Sequence, residues 1–323
     1  MPLKKIVKDE TNLDKSKENI SDLNKSNKNS NNLKKDSFLV QKPKYSFDDI
    51  ILSQDTKDQI ENVIYFKKNQ NKVFNEWGLS KVVRENTNKL AVNLYGPPGT
   101  GKTMAAHAIA KEMGQNMVIV NYSELESKYV GETSKNIEKV FSFAKQNNWI
   151  IFFDEADAIL SKRVTNMSHS TDVSVNQTRS VLLMLMNDYN GIILFATNFI
   201  SNFDEAFMRR IQFHIKFELP NQECRELLWK KYIPKQMPNN VNIYDLSCKY
   251  DGISGSDISN AVMIAAFKAA RLDEEYVDEK YFCEAIQNII KSKKENKSSS
   301  TKVVSEKFVT EEYVNKVLKK KGE

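Results

Sequence analysis

Gly96, Gly101, Lys102 and Thr103 form the pattern G-x-x-x-x-G-K-T within Gly96-Pro97-Pro98-Gly99-Thr100-Gly101-Lys102-Thr103. Glycines at these spacings let the backbone curl so that successive N–H groups point inward at phosphate oxygens. A lysine there reaches the β and γ phosphates of a nucleoside triphosphate, and the following hydroxyl completes the shell of a bound Mg²⁺. Further along, Asp154-Glu155-Ala156-Asp157 follows an unbroken apolar run, Trp149-Ile150-Ile151-Phe152-Phe153. At the end of such a strand Asp154 suits a metal ion and Glu155 suits a water that attacks the γ-phosphate. The bland alternative is a solvated acidic helix start, because Asp and Glu favour first turns.

Two more candidates complete the chemistry. Asn198 ends the apolar run Gly191 to Thr197. An amide there can donate to a phosphate or hold the water, although strand-end Asn is also a common turn former. Arg209 and Arg210 sit in Phe203-Asp204-Glu205-Ala206-Phe207-Met208-Arg209-Arg210. They are either surface charge or cations supplied to a neighbouring subunit's site, an effect worth about 10³ to 10⁵ in rate.

These residues need a scaffold, and its parts are legible. Leu90 to Tyr95 reads as a buried strand before the glycine loop, and Met104 to Met113 as a helix after it, with its N-terminus toward the anion. Apolar runs ending at Asp154 and Asn198 read as parallel strands covered on both faces, whose carboxyl ends converge on one ligand site. Gln222 to Tyr232 reads as a helix beginning a second region after Pro220.

The chain has 323 residues, 40% of them hydrophobic, which allows one large or two modest domains. Residues 1–45 are rich in Lys, Asn and Ser and read as a disordered arm. The ten-residue recurrence of Leu3, Leu13, Leu23 and Leu33 fits no known solenoid unit. A net charge of +6 is modest, and lysine-rich tails of this kind mostly solvate. No apolar run is long enough to span a membrane, and no signal peptide is legible. Cys224, Cys248 and Cys283 read as reduced thiols of a cytoplasmic protein, and His107, His169 and His214 are too scattered for a metal site.

With these motifs in place, the chain resembles the AAA ATPases, nearest to stand-alone bacterial members and akin to the protein-remodelling branch of katanin, spastin and FtsH. The likeness runs from Ser46-Phe47-Asp48-Asp49-Ile50 to about Ala270. It implies an α/β P-loop NTPase domain of three layers with a central parallel sheet at 46–220, and a small all-α lid from 221 to 323. Gly252-Ile253-Ser254-Gly255-Ser256-Asp257 matches a lid segment close to the nucleotide, with Asp257 or Ser256 expected to cap the helix Ile258 to Ala270. By resemblance Asp49, Ile50 and Gly255 border the adenine, and Arg209 and Arg210 fall on trans-acting fingers. ATP and Mg²⁺ are the implied ligands, and a homo-oligomer, a hexamer in this family, is the implied assembly.

Ser127-Lys128-Tyr129-Val130-Gly131-Glu132-Thr133 is similar to the aromatic–aliphatic–Gly loop with which AAA remodellers line a central channel and grip polypeptide. An aromatic ring gives sequence-tolerant apolar contact and glycine lets the loop move. Glu132-Thr133 would equally suit a helix start. Thr165 to Gln177 would be a second channel loop.

The chain departs from the family in places: Ile211 replaces a frequent Phe, the lid offers no arginine for the γ-phosphate, and no H-E-x-x-H follows. No recognition domain is legible before residue 46. The region from Lys291 to Ser300 reads as a flexible break, followed by a basic amphipathic helix at 305–320. The expected activity is ATP hydrolysis driving an oligomeric remodeller that threads a protein substrate. The rivals are a DNA-associated AAA loader or motor and a nucleotide-dependent switch. The first needs nucleic acid, and the second does not use the complete set of Glu155, Asn198 and Arg209.

Overall fold

The computed structural model describes residues 39–83, 89–121, 132–161, 170–198 and 203–300. Its elements run β1 (Leu39–Gln41), a 3₁₀ turn (Phe47–Asp49), α1 (Gln54–Lys68), β2 (Leu90–Tyr95), α2 (Lys102–Glu112), β3 (Met117–Asn121), α3 (Glu132–Asn147), β4 (Ile150–Asp154), α4 (Asp157–Leu160), α5 (Ser170–Asp188), β5 (Ile192–Thr197), α6 (Glu205–Met208) and β6 (Phe213–Lys216). Four helices follow: α7 (Gln222–Tyr232), α8 (Ile243–Lys249), α9 (Gly255–Arg271) and α10 (Glu279–Ser300). Two compact units divide after Leu227, inside α7 and beyond the Pro220 boundary expected from sequence.

In the first unit the strand order is β1-β3-β4-β5-β2-β6. The pairs β3·β4, β4·β5, β5·β2 and β2·β6 are parallel. β2 and β5 are in full register from Leu90↔Ile192 to Tyr95↔Thr197, so the glycine loop and Asn198 leave the sheet side by side.

Side-chain alternation builds the layers. Phe153, Ile151, Phe195 and Ile193 point to one face, where Ile137, Val140 and Phe141 of α3 and Leu182 of α5 pack on them. Phe152, Ile150, Leu194 and Ile192 point to the other, against Ile60 and Val63 of α1 and Ala105 and Ile109 of α2. A strand buried on both faces has no polar side to show, hence its continuous apolar sequence. Phe153 and Phe195 stack at 5.2 Å with planes 12° apart. Each such fully buried ring stabilises the sheet by about 1.5–3 kcal/mol.

β1 corrects the expected arm. Leu39, Val40 and Gln41 lie within 1–45 yet pair antiparallel with β3, Leu39↔Ile119 to Gln41↔Met117. The apolar Leu39-Val40 is enough to add a short covering strand to an edge that would otherwise leave β3's backbone groups unpaired.

In the second unit Trp229 of α7 meets Phe282 of α10 edge-on at 6.1 Å, both fully buried. Ser254 caps α9, accepting from the Asp257 N–H, while the Asp257 carboxylate accepts from the Ser254 N–H at 2.7 Å. The cap is therefore Ser254 and neither Ser256 nor Asp257; Asp257 closes the capping box from three residues on. The expected break at Lys291–Ser300 is helix, because α10 continues through it. Lys, Glu and Asn without Gly or Pro leave nothing to stop it, and Lys293 Nζ reaches Asp257 Oδ2 at 2.5 Å. The amphipathic segment at 305–320 lies outside the described residues.

Candidate active site

The turn from β2 into α2 is shaped by backbone geometry that only glycine supplies cheaply. Gly96 has φ 147°, and a Cβ there would sit 2.0 Å from the Phe217 carbonyl oxygen. Gly99 and Gly101 are left-handed at φ 77° and 99°. The Thr100 hydroxyl donates to the Pro97 carbonyl at 2.8 Å, closing the loop on itself together with Pro98. Gly101 is the N-cap of α2 and offers no side chain to its first N–H groups. Those donors and the positive end of the helix dipole are a ready anion site.

Lys102 Nζ donates to the carbonyls of Gly96 (2.7 Å) and Pro97 (2.9 Å) and to Asn198 Oδ1 (3.1 Å). The side chain is 8% exposed. Burial pushes its pKa below the ordinary lysine value, against the opposing pull of Asp157 and Asp154.

The Thr103 hydroxyl donates to Asp154 Oδ2 at 3.0 Å, joining the start of α2 to the end of β4. A hydroxyl beside a carboxylate, next to an anion-binding helix end, is a hard oxygen donor set that fits Mg²⁺. Glu155 follows with φ 51°, in the left-handed region that L-residues avoid, and its N–H donates to Asp154 Oδ1 at 3.0 Å. The strained turn leaves Glu155 exposed while Asp154 is half-buried.

Asp157 completes the junction: its carboxylate accepts from the Asn198 N–H at 2.9 and 3.2 Å. That role was missed in the sequence, where Asp157 was read only as part of the acidic run. A third acid two residues past Glu155 was the available signal.

Asp49 accepts from the Ser46 N–H at 2.7 Å and pins the 3₁₀ turn. Ile50 lies beside the loop, its Cγ2 3.8 Å from a Cβ built on Gly101. Arg209 is 78% exposed and pairs with Glu205 at 3.3 Å. Arg210 is tethered instead, to Asn187 Oδ1 (3.1 Å) and the Ala206 carbonyl (2.9 Å). Gly255 begins α9 in the second unit. Tyr129, Val130 and Gly131 lie outside the described residues, as do residues 165–169 of the proposed second loop, while Ser170 to Gln177 is helical.

Thus Gly96–Thr103, Asp154, Glu155 and Asn198 converge where three parallel strands end, an arrangement able to hold a triphosphate, a metal ion and a water. No helix among the described residues is long and apolar enough to cross a membrane.

Residues 92–219 match the model of the ATPase family associated with various cellular activities. The proteasome-activating nucleotidase of Saccharolobus islandicus is 32% identical over 278 residues, 84% of this chain and 68% of the relative. That of Sulfurisphaera tokodaii is 32% identical over 271 residues, 81% and 67% of the two chains. The 26S proteasome subunit RPT4 of Saccharomyces cerevisiae is 33% identical over 211 residues, 63% and 48%. With a relative of this identity spanned over two-thirds of its length, and with the phosphate loop and the Asp154–Glu155 strand end in one site, the chain is an ATPase of the AAA family.

Proposed function

We propose that this protein hydrolyses ATP as a homo-oligomeric ring, a hexamer, and uses turnover to thread a protein substrate through the central channel. The single observation that carries the hydrolytic part is the Thr103–Asp154 pair at the uncapped start of α2, with exposed Glu155 on the next residue.

In this reading the α2 N–H groups and Lys102 hold the β and γ phosphates, while Asp49 and Ile50 border the base. Thr103 and Asp154 hold Mg²⁺, which when bound polarises the γ-phosphoryl oxygens. Glu155 accepts a proton from the attacking water, whose oxygen forms the new bond to the γ-phosphorus as the bond to the ADP oxygen breaks. Asn198 orients that water, and Asp157 holds the Asn198 backbone in place. Lys102 is the cation supplied within the subunit. Arg209, exposed at the C-terminal end of α6, and Arg210 beside it supply charge to the neighbouring subunit's site.

Protein as the substrate class is supported by the likeness of Tyr129-Val130-Gly131 to a channel loop and by relatives named for activating a proteasome. The apparatus is expected to work in the cytoplasm.

The test is ATP turnover per subunit against protein concentration, with Glu155→Gln and an Arg209→Ala/Arg210→Ala double variant. A rise with concentration that both variants abolish supports a site completed across subunits. Turnover independent of concentration and untouched by the arginine variant sinks the trans-acting role.

A further inference from the structure

Arg179 is a buried cation that the hydrolytic scheme leaves unused. It lies on α5 and is 2% exposed, and its guanidinium donates to Ile159, Ser161 and Asn176. Nε donates to the Ile159 carbonyl (3.2 Å), Nη2 to Ser161 Oγ (2.6 Å) and Nη1 to Asn176 Oδ1 (3.1 Å). Two of those acceptors belong to one short segment, the end of α4 and the residue after it. Burying a guanidinium is costly unless its donors are satisfied, so the fold has a use for a rigid fork at this point.

That segment joins two sites. Upstream, α4 follows Asp154 and Glu155 directly and carries Asp157, which holds Asn198. Downstream, Ser161 forms an antiparallel bridge with Phe203, and the Asp204 N–H donates to the Leu160 carbonyl at 2.9 Å. Asp204 in turn caps α6 through the Ala206 N–H at 2.8 Å, and Arg209 and Arg210 follow the end of α6 directly. The far end of α5 touches the same place, through Asn187 and Arg210. Helix α5 therefore contacts this assembly twice, once at the end of α4 with Ser161 and once at Arg210 just after α6.

We propose that Arg179 is a positioning residue that fixes α6, and hence Arg209 and Arg210, relative to the Asp154–Glu155 strand end, so that a subunit with Arg179 replaced fails its neighbour's site while its own, still held by the Asp157–Asn198 and Thr103–Asp154 hydrogen bonds, stays competent. The proposal rests on the trans-acting reading of the two arginines. A planar fork with donors in fixed directions does this where a flexible ammonium cannot. The scheme also predicts that Arg179→Lys behaves more like Arg179→Met than like the wild type.

The experiment is complementation in mixed rings of the full-length protein. Arg179→Met alone should lower kcat at least roughly tenfold with KM for ATP within about twofold, because the missing interaction acts in the transition state. Glu155→Gln alone should be inactive, but its arginines are intact. Mixing equal amounts should restore turnover toward about one-quarter of wild type, the share of sites in a closed ring that are Arg179→Met and have a Glu155→Gln neighbour supplying the arginines. The Arg209→Ala/Arg210→Ala double variant mixed with Glu155→Gln is the control. If the control complements and Arg179→Met does not, or if Arg179→Met turns over like wild type, the proposal is overturned. If neither mixture complements, the trans-acting reading has failed and takes the proposal with it. Should Arg179→Met not assemble, Ser161→Ala, which removes one acceptor and leaves the guanidinium otherwise held, must give the same complementation with a smaller loss.

Discussion

Thr103 Oγ1 and Asp154 Oδ2 are 3.0 Å apart, a hydrogen bond that links two segments 51 residues distant in sequence. Their bond contributes only about 1 kcal/mol to folding, so its value lies in placing two oxygen donors together. Thr103→Ala and Asp154→Asn should leave the melting temperature nearly unchanged and raise the Mg²⁺ needed for half-maximal turnover. A Mg²⁺ titration of ATPase rate checks this; a large loss of Tm with an unshifted Mg²⁺ requirement would mean the pair is structural.

Glycine requirements in the phosphate turn differ from those elsewhere. Gly96→Ala combines φ 147° with a Cβ 2.0 Å from the Phe217 carbonyl, so β2 and the chain after β6 must separate. Gly114→Ala, at φ 64°, meets nothing within 4 Å. The second should cost only the about 1–2 kcal/mol of a left-handed L-residue. The first should cost clearly more and abolish ATP binding, as thermal melts with and without ATP will report.

Glu155→Gln should bind ATP as well as the wild type and turn it over about 10²- to 10⁴-fold more slowly, the usual contribution of a general base. Because the ATP-bound state then persists, this variant should retain its client. Recovery of protein supports the threading reading, whereas recovery of nucleic acid without protein refutes it.

Acid should destabilise the first unit through two histidines. His107 is buried on α2, its Nδ1 accepting from the Lys44 N–H at 3.3 Å. Burial and then Lys44 hold its pKa below 6.5, outweighing Asp154. Burial likewise lowers that of His214, against backbone hydrogen bonds to Met208 and Ile211. With folded values below the unfolded one, the unfolded chain binds more protons, so stability is full above about pH 6.5 and falls as pH drops through the folded values. His107→Gln should flatten part of the fall in Tm between about pH 7 and 5; an unchanged slope would contradict this.

In the second unit the Ser254–Asp257 capping box carries Lys293 on the same carboxylate oxygen. Asp257→Ala should cost about 1–2 kcal/mol, the worth of a lost cap. Lys293→Met should cost under about 1 kcal/mol because the lysine is half-exposed. Denaturant unfolding of both variants measures the difference.

The parts legible in the sequence are those that local pattern dictates. Leu90–Tyr95 and Gln222–Tyr232 appear at their read boundaries because an apolar strand ends at a glycine turn and a helix begins after Pro220. Gly96–Thr103, Asp154 and Glu155 stand out in the sequence because the chemistry proposed for them needs fixed spacing. Partnerships between distant segments were not. Leu39–Gln41 is too short to announce a strand until β3 offers an edge, and Lys291–Ser300 looks like a break until Lys293 finds Asp257. Arg179 lies just past the segment that the sequence offers as a second channel loop, and Ile159, Ser161 and Asn176 around it are what reveal a buried fork.

β1 also fixes a direction of travel. It runs against β3, with Leu39 opposite Ile119 and Gln41 opposite Met117, so the backbone enters the sheet from the end where the parallel strands finish. A label carried on Leu39 itself, which is exposed on this edge strand, therefore sits at the end of β1 that faces the rim carrying Asp154 and Asn198. A fluorophore at that position would report on this rim from two strands away from β4 and three from β5.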